Sequence, residues 1–146
     1  MNNAVKITSD IYWIGINDRE TDIFESLWPI PEGVTYNSYL IDDEKVVLID
    51  TVRNTYHNSF INKIQSVIGD KNVDYLIINH MEPDHSGSIR AIKEAYPDIK
   101  IIGNKKTINF LEGYYKINKG VQVISDGETL ETGNHQLKFF ITPMLH

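Results

Sequence analysis

Residues 75–89, YLIINHMEPDHSGSI, decide the reading of this chain. The run YLIIN at 75–79 is apolar and rich in branched side chains, as suits a central strand buried on both faces. His80, Glu82, Asp84 and His85 follow within six positions, and then the small residues Ser86, Gly87 and Ser88. A strand that stops at His80 delivers its last side chain to the carboxyl edge of a sheet, where α/β proteins build their sites. Pro83 keeps Glu82 out of the helical region, so segment 81–85 is not helical throughout. A tight turn there would let all four side chains converge. A helix over 86–96 is predicted next, stopped at Pro97, with Ser86 to Ser88 supplying an N-cap and room for close backbone approach.

The donor types narrow the chemistry. Imidazole and carboxylate groups without sulfur suit iron, manganese or zinc. Four such groups exceed what one catalytic ion takes from so short a segment, and two ions sharing the turn would explain the surplus. Charged surface turns holding a histidine or two are common. This one is set apart by its place between a buried strand and a helix with a small-residue start.

Working outward, the pattern is mixed α/β. Strands are predicted over 6–7 and 11–16, and a hairpin over 36–41 and 46–50 joined by the polar turn Asp42-Asp43-Glu44-Lys45. Residues 18–35, with two prolines, a glycine and no period, read as a long loop of the kind that serves function. Phe60, Ile61, Ile64, Val67 and Ile68 recur at helical spacing over 55–68, with Gly69 as C-cap. A strand over 99–102, a helix over 105–114 and strands over 121–124 and 137–141 complete an alternation that implies a sheet with helices packed on it. No internal repeat or low-complexity segment interrupts it.

Composition sets outer bounds. The 146 residues fit one domain, 41% hydrophobic and 23% charged, which is globular rather than disordered. A net charge of −6 argues against nucleic acid or an anionic membrane as partner. The absence of cysteine excludes disulfides, thiolate metal sites and a cysteine nucleophile. With no signal pattern at the N-terminus and no apolar run approaching about 20 residues, a cytoplasmic protein is expected.

His80-Met81-Glu82-Pro83-Asp84-His85 resembles the metal motif of flavodiiron proteins (A-type flavoproteins), within the metallo-β-lactamase fold superfamily. Hydrolases of that superfamily have histidine where Glu82 stands. FESLWPIPEGVTYNSYLI (24–41), VVLIDTV (46–52) and TPMLH (142–146) agree, so the resemblance covers essentially the whole chain. It implies an α/β fold, the first half of a metallo-β-lactamase-like αββα sandwich, with residues 1–146 forming an incomplete diiron domain. It also implies that His80 and Glu82 bind one iron together with His146, and that Asp84 binds the other, with His85 binding it or lying close. The activity implied is reduction of dioxygen to water or of nitric oxide to nitrous oxide. Electrons would come from FMN on a flavodoxin-like domain or partner chain, fed by a donor such as rubredoxin or reduced flavin.

This chain departs from the family in length. The family's domain supplies a bridging aspartate and a further histidine beyond the position of His146, and no phosphate-binding loop for FMN is found here. An isolated half sandwich would leave an open sheet edge and an uncovered apolar face, so a homo-oligomer or a complementing chain is expected. Two other readings stand beside this one, a dinuclear zinc hydrolase and a non-catalytic fragment that needs a partner chain.

Further roles follow from position. Asp50 ends the VVLID strand, and a metal-bound histidine needs an acceptor for its other ring nitrogen. Phe24, Leu27 and Trp28 would wall the metal pocket with apolar surface. His57 and His135 are expected to be solvated, and Tyr114-Tyr115 to pack rather than carry electrons.

Overall fold

The computed structural model describes residues 3–24 and 26–143. The chain begins with β1 (Val5–Lys6), β2 (Ile11–Trp13), β3 (Ile16–Asp18), β4 (Ile23–Phe24), β5 (Trp28–Pro29), β6 (Val34–Tyr36), β7 (Tyr39–Asp42) and β8 (Val46–Ile49). A 3-10 turn at Asn54–Tyr56 leads into α1 (His57–Ile68), followed by β9 (Tyr75–Ile77), the single turn α2 (Pro83–Ser86), α3 (Ile89–Ala95) and β10 (Lys100–Gly103). Then come α4 (Lys105–Phe110), a π turn at Leu111–Tyr115, β11 (Val121–Val123), β12 (Thr129–Glu131) and β13 (Gln136–Lys138).

Seven strands form one mixed sheet in the order β1-β2-β7-β8-β9-β10-β11. The first half is antiparallel, and β8 through β11 run parallel. Each parallel step advances in the same direction, and right-handed crossovers then place every connecting helix on the same face. Phe60, Ile64 and Ile68 of α1, Ile89 and Ile92 of α3 and Ile108 of α4 accordingly share one core cluster. Strand alternation supplies the other side of that core. Leu40, Leu48, Leu76 and Ile101 face one another in register across β7, β8, β9 and β10, all fully buried. Each contributes roughly 1.5–3 kcal/mol by leaving water.

The intervening residues Ile41, Val47, Ile77 and Ile102 form a second cluster on the opposite face. That β9 would be buried on both faces is therefore correct: Leu76 belongs to one cluster and Ile77 to the other. The second face is not left bare as expected, because β12 and β13 pair antiparallel and pack Leu130 and Leu137 on it. Aspartate fastens this hairpin in place. The Asp43 carboxylate accepts from the Thr132 hydroxyl, the Asn134 amide and side chain, and the His135 amide, at 2.8–3.1 Å. The Asp10 carboxylate lies 2.7 Å from His135 Nε2, so His135 is paired rather than solvated.

Several boundaries differ from the sequence expectation. The strand over 11–16 divides at Gly15, whose added Cβ would fall 2.2 Å from the Tyr36 carbonyl oxygen; the chain leaves the sheet there and β3 pairs with β6. The loop over 18–35 holds the small β4–β5 pair and ends in β6, two- and three-residue strands too short to show a period. The last strand spans Gln136–Lys138, with β12 as an unforeseen partner. The helix expected over 86–96 begins at Ile89.

Candidate metal centre

β8 and β9 are parallel neighbours, so their carboxyl ends share one edge of the sheet. Regular pairing of β9 ends at Ile77 rather than at His80. Asp50, one residue beyond β8, causes the divergence: its carboxylate accepts the Asn79 amide at 2.7 Å and the His80 amide at 3.4 Å. Amides captured by a side chain are lost to a ladder. Asp50 is buried and adopts a left-handed φ of 55°, a conformation costly for a residue other than glycine. Burial pushes its pKa up, while the bonds from Asn79 and the charge of His85 oppose that rise. The sequence leads to an expectation that Asp50 accepts from a histidine ring nitrogen; the bonds it accepts here come instead from the Asn79 and His80 amides and the Asn79 side chain.

Glu82 stays extended, with φ −69° and ψ 152°, as a residue before proline should. Pro83 then occupies the first position of α2, where its missing N–H costs nothing. Asp84 and His85 therefore sit on a helical turn. The carbonyl of Glu82 accepts the amides of His85 at 2.9 Å and Ser86 at 2.8 Å, which closes that turn. Gly87 ends it. A Cβ there would come within 2.5 Å of the Pro83 carbonyl oxygen and 2.7 Å of the Asn54 nitrogen, both backbone atoms. Gly87 itself keeps helical angles, φ −59° and ψ −28°, while Ser88 departs from them at φ −95° and ψ 4°, and the helix expected over 86–96 begins at Ile89. Ser86 is inside α2 rather than capping a helix; its hydroxyl donates to the Met81 carbonyl at 2.9 Å and meets the Tyr115 hydroxyl at 2.8 Å.

The result brings donors together. His80, Glu82 and Asp84 each offer one ligand atom, and these atoms lie within 4.8 Å of one another. His80 Nε2 is 3.4 Å from Glu82 Oε2, and His85 Nε2 is 3.7 Å from Asp84 Oδ2. The two imidazoles stand nearly perpendicular, 5.3 Å between centroids. First-row ions bind nitrogen and oxygen at about 2.0–2.2 Å, which sets their ligand atoms roughly 3–4 Å apart. The cluster is close to that spacing. His85 Nδ1 is buried with no hydrogen-bond partner among the described residues, a costly state that a ligand would relieve. Nitrogen and oxygen donors, a short mutual spacing and one orphaned imidazole nitrogen together fit metal ions. His146 lies outside the described residues.

The walls are only partly those expected. Phe24, Tyr36, Arg53, Pro83 and Asp84 line a pocket of about 190 Å³. Leu27 is 75% exposed and Trp28 65% exposed, so in this chain they face solvent on the β4–β5 tip. Three contributors escaped the sequence reading. Thr51 donates both its amide and its hydroxyl to the His85 carbonyl, and Tyr36 and Arg53 reach the pocket from distant elements. Thr51 had one local signal, its place beside Asp50 at a strand end; the other two had none.

Comparison with known proteins follows the same outline. The family model described as ODP family beta lactamase matches residues 34–146. Flavo-diiron protein FprA2 of Clostridium acetobutylicum is 38% identical over 145 residues, covering 98% of this chain and 36% of that protein. Nitric oxide reductase of Moorella thermoacetica is 34% identical, covering all of this chain and 37% of that protein. The solved rubredoxin oxygen:oxidoreductase from Desulfovibrio gigas superposes with a TM-score of 0.93 at 37% identity, over 99% of this chain and 36% of that one. The chain therefore spans about a third of the length of the relatives it matches.

Proposed function

This chain belongs to the ODP family of beta lactamases, and from that premise we propose that it is the metal-holding domain of a non-haem diiron oxidoreductase. The reaction is reduction of dioxygen to water with four electrons and four protons, or of two nitric oxide molecules to nitrous oxide and water with two of each. The electrons reach it from FMN carried on a segment or chain outside these 146 residues, supplied by a rubredoxin-type donor or reduced flavin. A second copy or a complementing chain completes the site, and a cytoplasmic setting suits it. Among the described residues no helix is long and apolar enough to cross a membrane.

The observation that carries this reading is the convergence of His80, Glu82 and Asp84 at the carboxyl edge of β9, with His85 beside them. His80 and Glu82, with His146, would hold one iron; Asp84 and His85 would hold the other. Held there, two irons would supply the redox chemistry that reduces a diatomic substrate. The protein's own residues do the rest. Asp50 holds the backbone of His80 and Thr51 holds the backbone of His85, and these bonds would orient both imidazoles as ligands. Phe24 and Tyr36 narrow the adjoining pocket to a volume that suits a diatomic molecule and a few waters, at roughly 30 Å³ each.

Metal analysis of protein purified without added metal tests the proposal. Close to two irons per completed site are expected, with large losses in His80→Ala and in Glu82→Ala. Iron content unaffected by both substitutions would falsify the assignment. Zinc in place of iron, accompanied by ester or lactam hydrolysis, would move the chain to the hydrolase reading. Turnover compared with each gas, under a reduced donor, sets the preference between dioxygen and nitric oxide.

A further inference from the structure

Lys63 of α1 is 5% exposed. Its ammonium donates to the Gly15 carbonyl and lies 4.8 Å from the centroid of the Trp13 ring. Among the described residues no carboxylate pairs with it. Burial holds its pKa below the lysine range, with no counter-charge opposing the shift. An ammonium has three donors, and a buried cation without an anion is expensive. One carbonyl and one aromatic face leave that cost largely standing.

Beside Lys63 opens a cavity of about 700 Å³, within the size range of small-molecule sites. Arg19 adds a second cation, and Asn17, Asn62 and Tyr56 add neutral polar groups. Glu20 places one carboxylate on the same wall. The cavity shares no lining residue with the small pocket beside Asp84, although Tyr56 of the one and Tyr36 of the other are neighbours, with 6.0 Å between ring centroids.

We propose that this cavity binds a small organic oxyanion, a phosphate ester or a carboxylate with a hydroxylated body, whose anionic group pairs with Lys63 and Arg19. The volume is far larger than an inorganic ion needs, so the anion is one end of a larger molecule. The Asn17 and Asn62 amides and the Glu20 carboxylate then meet hydroxyl groups on the rest of it. The iron assignment is independent of this inference.

Isothermal titration of the full chain with inorganic phosphate, and separately with citrate, tests it. Saturable one-to-one binding of at least one probe is expected, the stronger of the two showing whether phosphate or carboxylate is preferred. Lys63→Met should weaken that binding at least about 30-fold, as removal of a buried charge partner does. Arg19→Gln, at an exposed position, should weaken it about fivefold. In anion-free buffer Lys63→Met should be at least as stable as the parent, because the unpaired buried charge is gone. Failure of both probes to bind saturably, or an affinity unchanged by Arg19→Gln, overturns the inference even if Lys63→Met does not fold.

Discussion

Thr51 holds the carbonyl oxygen of His85 twice, through its amide at 2.8 Å and its hydroxyl at 2.7 Å. The two residues are 34 positions apart, one just past β8 and the other on α2. This contact and the bond from the Asn79 amide to Asp50 fasten both ends of the ligand loop to the end of one strand. Thr51→Val keeps the shape and the amide bond and removes only the hydroxyl. A loss of about 1 kcal/mol is expected in urea unfolding, together with weaker iron retention under chelator challenge.

Gly87 tests how closely α2 packs on the backbone at residues 53–54. Gly87→Ala drives a Cβ into backbone on both sides, and neither side is a flexible side chain. A destabilisation of about 2 kcal/mol or more is expected from thermal or urea unfolding. Gly113→Ala, whose added Cβ meets nothing within 4 Å, is the control and should be neutral or slightly stabilising.

Asp18 predicts a pH dependence. Burial alone would raise its pKa, but the bonds from the Thr21 hydroxyl and amide, the Tyr56 hydroxyl and the Glu20 amide outweigh it and hold the carboxyl well below the usual carboxylate range. The same contact, after burial, pushes the Tyr56 hydroxyl up to about 12. A carboxyl whose pKa is lower in the folded state stabilises fully above its unfolded value, about 3.9. That contribution disappears as pH falls from about 4 toward the folded value. The urea midpoint should therefore drop steeply below pH 4 in the parent and less steeply in Asp18→Asn. At neutral pH the variant should lose about 2 kcal/mol.

Asp43 tests the cover on the second face. Asp43→Ala removes the acceptor for Thr132, Asn134 and His135 at once. The β12–β13 hairpin should loosen and expose the face formed by Ile41, Val47, Ile77 and Ile102. A several-fold rise in fluorescence of a hydrophobic dye and faster amide exchange at Leu130 and Leu137 are the expected readouts. Unchanged dye binding would show that apolar contact alone retains the hairpin.

Local pattern determined much of this protein. The short apolar runs of β7 to β10, the spacing of Phe60, Ile64 and Ile68, and the donors from His80 to His85 were legible because each depends on neighbours within a turn or a strand. Proline before Asp84 also marked where the turn must bend. Tertiary structure alone decided which backbone amides Asp50 would capture, that the backbone at Asn54 would press against Gly87, and that β12 and β13 would cover the second face. It also decided that Leu27 and Trp28 stand in solvent while Tyr36 and Arg53 line the pocket. Those outcomes depend on atoms brought together from 29 to 92 positions apart, as in Asp50 with Asn79 or Asp43 with His135. No periodicity within a single segment encodes a contact whose partner lies in another.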